Sequence, residues 1–344
     1  MDRKRNNLFD LLRVLFAASV VVSHASGIIY HGEIVSANVA VDGFFMLSGF
    51  FMAKHLHKRK EESPDRIFLD YQLGRIKRLF PMYILSCFLG LLSELSVHHR
   101  FDICKWPALY FLGDINGIPG YPATWYVAAL FWAGIAVSAP LVYRRKLSVT
   151  IVFPVAFFVL FSAMYQHHNL WLFSEPLVAG FLSAGVMKAV CALCVGAEIF
   201  YASLLLKSKE AKLRPCAKKI ASAMCEIIFI AGFTSSFWIW FSPKNFLVYL
   251  YVPLVLLVFS LDGQVLFRIL DSRIFSALGK TTYAVYLTHL YFLKFLAKIE
   301  AWQKIPMIPA YVLILSASFA IGWGFSKIEK NAMKILKNAA FKQA

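Results

Sequence analysis

The chain has 344 residues, 59% of them hydrophobic and 16% aromatic, with a formal net charge of +17. A soluble domain averages roughly 45–50% apolar residues, and with a mean hydropathy of +0.63 this composition excludes a soluble fold around one core. The charge would suit nucleic acid, but the lysines and arginines are placed as a membrane topology places them, so no nucleic-acid partner is expected.

The hydropathy pattern predicts an all-α polytopic membrane protein of about ten transmembrane helices in a single domain, 1–344, with a short basic tail from about 327. The predicted spans are roughly 8–30, 38–56, 79–97, 122–142, 148–166, 182–206, 219–241, 244–262, 281–298 and 307–326. With the N-terminus in the cytoplasm, 28 Lys/Arg fall in inner segments and six in outer ones, while Arg13 and Lys188 fall within spans. That bias predicts cytoplasmic termini. It leaves Arg100, Lys105, Lys244, Lys294, Lys298 and Lys304 outside. A share of the inner charge could also serve anionic lipid or an anionic cytosolic ligand. The first apolar stretch is long, interrupted by charge and without a small-residue cleavage site, so it is not read as a cleavable signal.

The first span, "DLLRVLFAASVVVSHAS", carries Asp10, Arg13 and His24. At about 100° per residue, His24 lies roughly 20° from Arg13 in projection and Asp10 about 60° to the other side, so the three share a face. His24 is about 16 Å beyond Arg13 along the axis. A charged stripe is costly in lipid, so this face is expected to line the bundle interior or a wet cavity. A structural polar contact with a snorkelling arginine is the alternative.

In the second span, Asp42 sits at a depth matching that of His24 and is a plausible orienting partner that would make the imidazole a better base; a solvated interfacial Asp42 is the alternative. Ser48-Gly49 offers a small-residue spot for a neighbouring backbone or a thin ligand. Arg75 and Arg78 share one face where the third span leaves the inner side, suited to gripping phosphates or forming an ordinary basic flank. The 98–121 segment is the longest expected outer loop, with Asp102, Asp114 and the Pro119-Gly120 turn signal.

Trp125 and Tyr126 fall near an outer boundary, as an aromatic belt would. Glu198 is an intramembrane acid for which the sequence offers no partner. His289 lies about 13 Å into the ninth span, as a functional residue or a structural hydrogen-bonding one. Of six cysteines only Cys104 falls in an outer loop, and Cys191 and Cys194 form a CxxC within a span, so neither a disulfide framework nor a metal site is expected.

Four elements in order resemble the acyltransferase-3 family of integral-membrane acyltransferases, many of which O-acetylate bacterial surface polysaccharides. They are Arg13…His24 behind Asp10-Leu11-Leu12, the run Val41-Asp42-Gly43-Phe44-Phe45-Met46-Leu47-Ser48-Gly49-Phe50, Arg75-Ile76-Lys77-Arg78-Leu79-Phe80-Pro81, and Tyr286-Leu287-Thr288-His289. One departure is Trp125-Tyr126-Val127, where the family often has Trp-Ser-Leu followed by an acid. A hydrolase-like extracytoplasmic domain carried by some members is not expected here and, if required, would come from a separate chain.

The resemblance implies transfer of an acyl group, acetyl above all, from cytosolic acetyl-CoA to a hydroxyl of a surface or lipid-linked carbohydrate such as O-antigen or capsule. It implies a bacterial inner-membrane protein with no tightly bound cofactor. Arg13, Arg75 and Arg78 would meet the CoA phosphates, with Asp10 holding an arginine. His24 would act as general base or as nucleophile, with Asp42 orienting it, and Ser48, Trp125, Tyr126 and His289 would line the path. A secondary transporter and a non-catalytic partner in polysaccharide assembly are the rival classes. Internal repeats argue for the first, and none is visible.

Overall fold

A computed structural model describes residues 7–30, 38–98, 102–113, 118–166, 176–178, 182–209, 215–236 and 243–343. Arg3, Lys4, Arg5 and Asp114 lie outside the described residues. The helices are α1 Leu8–Ile29, α2 Asn38–Lys58, α3 Pro64–His98, α4 Thr124–Tyr143, the one-turn α5 Arg145–Leu147, α6 Phe153–Gln166, α7 Ala184–Lys209, α8 Pro215–Ser236, α9 Val248–Ser260, α10 Arg273–Gly279, α11 Thr282–Leu296 and α12 Met307–Gln343. The expected all-helical bundle is interrupted by a small antiparallel hairpin, β1 Pro176–Val178 with β2 Leu182–Ser183.

Among the described residues, seven helices are long and apolar enough to cross a membrane: Leu8–Ile29, Val39–Lys58, Pro64–Ser96, Thr124–Tyr143, Arg145–Gln166, Ala184–Ser208 and Met307–Lys334. The other three expected spans are helices of a different kind. α8 has the length but carries Lys218, Lys219 and Glu226. α9, with 13 residues, and α11, with 15, reach about 20 Å, against a bilayer core of about 30 Å. α9 starts late because Pro243–Leu247 forms a 3-10 turn ahead of it.

α3 departs from the expected 79–97 span in the other direction. It runs unbroken through Pro81 from residue 64, so its basic first half is helical and continuous with the membrane segment. Within the 98–121 segment, Ile103–Tyr110 is a 3-10 helix folded back on α3 instead of an open loop. Tyr83 donates to the Ala108 carbonyl (2.5 Å), and Lys105 pairs with Glu94.

α2 and α7 form the most extensive helix pair. A Cβ at Gly49 would strike the Leu193 carbonyl, and one at Gly196 the Met46 carbonyl. These glycines let the two backbones touch, which is how helices associate where no hydrophobic effect drives them together. The small-residue spot expected at Ser48-Gly49 is therefore filled at Gly49 by α7.

Candidate functional site

A cavity of about 880 Å³ opens at the Arg13 end of the bundle, walled by α1, α2, α3, α4 and the start of α11. Seven lining residues are Lys or Arg, and three are acidic, Asp10, Asp70 and Glu329. Asp10, Arg13, Ser48, Arg75, Arg78 and Tyr126 all line it, so six of the ten sequence candidates converge on one space. Lys54, Lys58, Arg59 and Lys280 add charge that no motif singled out.

The three arginines are held differently. Arg13 pairs with Asp10 at 2.5 Å, the i,i+3 geometry expected of one helix face, and its guanidinium lies 4.9 Å from the centroid of the Phe51 ring. Arg75 is buried, and its Nη2 donates to the Leu130 carbonyl at 2.7 Å. A Cβ at Gly134 would occupy the place of the Arg75 guanidinium, so glycine there opens the slot it fills. Among the described residues the buried Arg75 Nη1 has no hydrogen-bond partner, a donor whose desolvation costs about 1–3 kcal/mol until something accepts from it. Arg78 is exposed at the cavity wall.

Further along α1, His24 meets His289. His289 Nε2 lies 3.1 Å from His24 Nδ1, and the ring centroids are 5.0 Å apart. His24 Nδ1 also faces the Val20 carbonyl at 3.0 Å, and His289 Nδ1 faces the Tyr286 carbonyl at 2.6 Å. A carbonyl only accepts, so with both rings neutral each Nδ1 carries the hydrogen. His289 Nε2 then accepts from His24 Nδ1–H, which leaves the His24 Nε2 lone pair bare. Neither histidine lines the basic cavity. Tyr286 connects them to it: it lines the cavity, stands 4.7 Å from the Tyr126 ring, and lies 5.7 Å from the His289 ring.

Asp42 does not orient His24. It pairs with Lys188 on α7 at 3.2 Å and accepts from the Tyr249 hydroxyl at 3.2 Å. Both members of the ion pair are buried. The carboxylate turns toward α7 and α9, while the imidazole turns toward α11. Trp125 is likewise absent from the cavity lining; it stands against Phe45. Glu198 keeps one buried oxygen without a hydrogen-bond partner among the described residues.

The residues reasoning from sequence left unassigned are Tyr286, Lys188 and Tyr249. The isolated lysine at 188, in an apolar run, was the available signal. All six cysteines are free, and the described residues hold no group of three or more His, Cys, Asp or Glu able to bind a metal.

This fold and site define a polytopic membrane protein with a cation-lined cavity beside an intramembrane histidine pair. The chain belongs to the acyltransferase-3 family: the family's sequence model, described as an acyltransferase domain, matches residues 6–327. No curated protein and no solved structure matches it.

Proposed function

We propose that this protein moves an acetyl group from cytosolic acetyl-CoA to a hydroxyl of a surface or lipid-linked carbohydrate in the bacterial inner membrane. The observation that carries the reading is the His24–His289 contact through His24 Nδ1, which leaves Nε2 as the basic nitrogen of the neutral ring, about 16 Å along α1 from an arginine that lines a basic cavity. An extended pantetheine arm is of comparable reach. In this reading the chain crosses the membrane ten times with both termini cytoplasmic, α8, α9 and α11 serving as the three shorter or more polar spans. The basic cavity then faces the cytosol, where the donor is.

Each group has one task. Arg75, Arg78 and Arg13 hold the donor phosphates, and the orphan Arg75 Nη1 gains an acceptor. Asp10 keeps Arg13 in place. Ser48 and Tyr126 line the path of the arm. His24 Nε2 takes the proton of the acceptor hydroxyl as the oxygen attacks the thioester carbonyl. The C–S bond breaks, and the imidazolium returns the proton to the thiolate, leaving an ester and free CoA. His289 is a positioning residue that, together with the Val20 carbonyl, holds the His24 ring by its Nδ1–H. Asp42 locks α2 to α7 through Lys188.

Transfer of label from radiolabelled acetyl-CoA to carbohydrate in membranes containing the protein tests this reading, with mass spectrometry of surface polysaccharide to locate the ester. His24→Ala is expected to lower transfer by about 10²–10⁴-fold with donor binding intact. Near-normal turnover in that variant overturns the assignment.

A further inference from the structure

A second cavity, of about 780 Å³, opens at the opposite end of α3 and α11. On α3 its wall runs from Leu89 to Ser96, against Asp70 to Leu79 for the basic cavity, so the two sites lie at opposite ends of the same helix. On α11 it takes in Tyr291, Lys294 and Phe295, and just beyond the helix Lys298, whereas the basic cavity takes in Thr282, Tyr283 and Tyr286. The His24–His289 pair is on neither wall.

Three of this cavity's residues, Lys105, Lys294 and Lys298, are lysines, and Glu94 is its one acid. Glu94 pairs with Lys105 through Oε1, its Oε2 is buried without a hydrogen-bond partner among the described residues, and the Lys105 ammonium also lies 5.6 Å from the centroid of the Tyr121 ring. Lys294 and Lys298 are four residues apart across the end of α11, exposed, and without an acidic partner among the described residues. Tyr121 and Tyr291 close together over Gly90 to make the floor. The flank is apolar and open: Leu92 is 46% exposed and Phe295 63%.

The placement of these lysines runs against the charge bias of the chain. Only six Lys/Arg are expected on the outer side, and three of the six meet here. Topology favours cations inside and gives no reason to gather them at this end. Two unpaired ammonium groups beside exposed Leu92 and Phe295 match a ligand with a negative head and a hydrocarbon tail. Phosphate provides the head that lysine recognises as a point charge, and the tail lies on the apolar flank at the membrane interface.

We propose that this cavity binds a net-anionic phosphate-headed lipid, its head on Lys294 and Lys298 and its tail along Leu92 and Phe295. The experiment is native mass spectrometry of the detergent-purified, delipidated full chain. The probes are a phosphatidylglycerol, a phosphatidylcholine of the same acyl chains and a polyisoprenyl monophosphate. The anionic probes are expected to be retained over phosphatidylcholine. The Lys294→Gln/Lys298→Gln double variant should lose that retention by roughly tenfold or more, and Lys294→Arg/Lys298→Arg should keep it. Preference for phosphatidylglycerol assigns the site to bulk lipid, and preference for the isoprenyl probe assigns it to a lipid-borne acceptor; both support the proposal. Equal retention of phosphatidylcholine, or unchanged retention in the Gln double variant, overturns it. The measurement uses no donor and no chemistry, so the failure of the acyl-transfer reading and the failure of this one are seen separately.

Discussion

His289 Nε2 sits 3.1 Å from His24 Nδ1, and these two nitrogens come from helices 265 residues apart in the chain. The contact gives His24 Nδ1–H a second acceptor beside the Val20 carbonyl and ties the ring to α11. His289→Leu removes that second acceptor and loosens the His24 ring, while the Val20 carbonyl still holds its Nδ1–H, so kcat should fall by roughly 10–100-fold with donor KM unchanged. His289→Gln, whose side-chain oxygen can accept from His24 Nδ1–H, should recover much of the loss. Steady-state kinetics on the two variants checks this. Equal damage from Leu and Gln would mean His289 matters for packing alone.

For the donor, the geometry predicts that charge is not sufficient. A lysine at 75 has its three N–H donors on a single nitrogen and lacks the planar fork by which Arg75 donates to the Leu130 carbonyl through Nη2 while aiming Nη1 elsewhere. Arg75→Lys and Arg78→Lys should each raise donor KM by roughly tenfold, about 1.4 kcal/mol. Titration of acetyl-CoA against membranes of each variant measures it. Unchanged KM in both would reduce the pair to a topology signal.

The Asp42–Lys188 pair makes a stability prediction. Removing one partner of a buried ion pair typically costs about 3–5 kcal/mol, because the other charge is stranded. Asp42→Asn and Lys188→Met should each lower the thermal midpoint in detergent, and the double variant should be less damaged than the two losses summed. Acyl transfer restored in the double variant would show that Asp42 serves the α2–α7 interface and not the chemistry. A double variant folded but inactive would return Asp42 to the reaction.

Orientation is testable with the native thiols. Cys104 and Cys216 are both exposed. A membrane-impermeant thiol reagent on intact, outer-membrane-permeabilised cells should label Cys104 and spare Cys216. The reverse pattern would put the basic cavity away from the cytosolic donor.

The sequence made the local features of this site readable. Asp10 and Arg13 are three residues apart on one helix, and they pair as helix geometry requires. Arg75 and Arg78 share a wall for the same reason. Partners between helices were harder. Matching depth placed Asp42 level with His24, but depth carries no azimuth, and Asp42 faces α7. The partner of His24 lies on the ninth predicted span, which hydropathy locates without saying which helix it touches. Hydropathy placed ten spans where seven described helices are long and apolar enough to cross, since it registers apolar content and not, for example, the 3-10 turn at Pro243–Leu247 that shortens α9.

The closed charge pair between α2 and α7 also sets an order of assembly. Asp42 precedes Lys188 by 146 residues in the chain, and at typical synthesis rates of about 5–20 residues per second the lysine follows by roughly 7–30 s. During that interval the second helix holds a carboxylate whose counter-ion has not been made, and the Gly49 notch faces no backbone. The α2–α7 seam therefore closes late in biogenesis, after more than half of the chain has left the ribosome. A nascent chain truncated before residue 188 would present a second helix with its Asp42 carboxylate unpaired and its Gly49 notch unsealed.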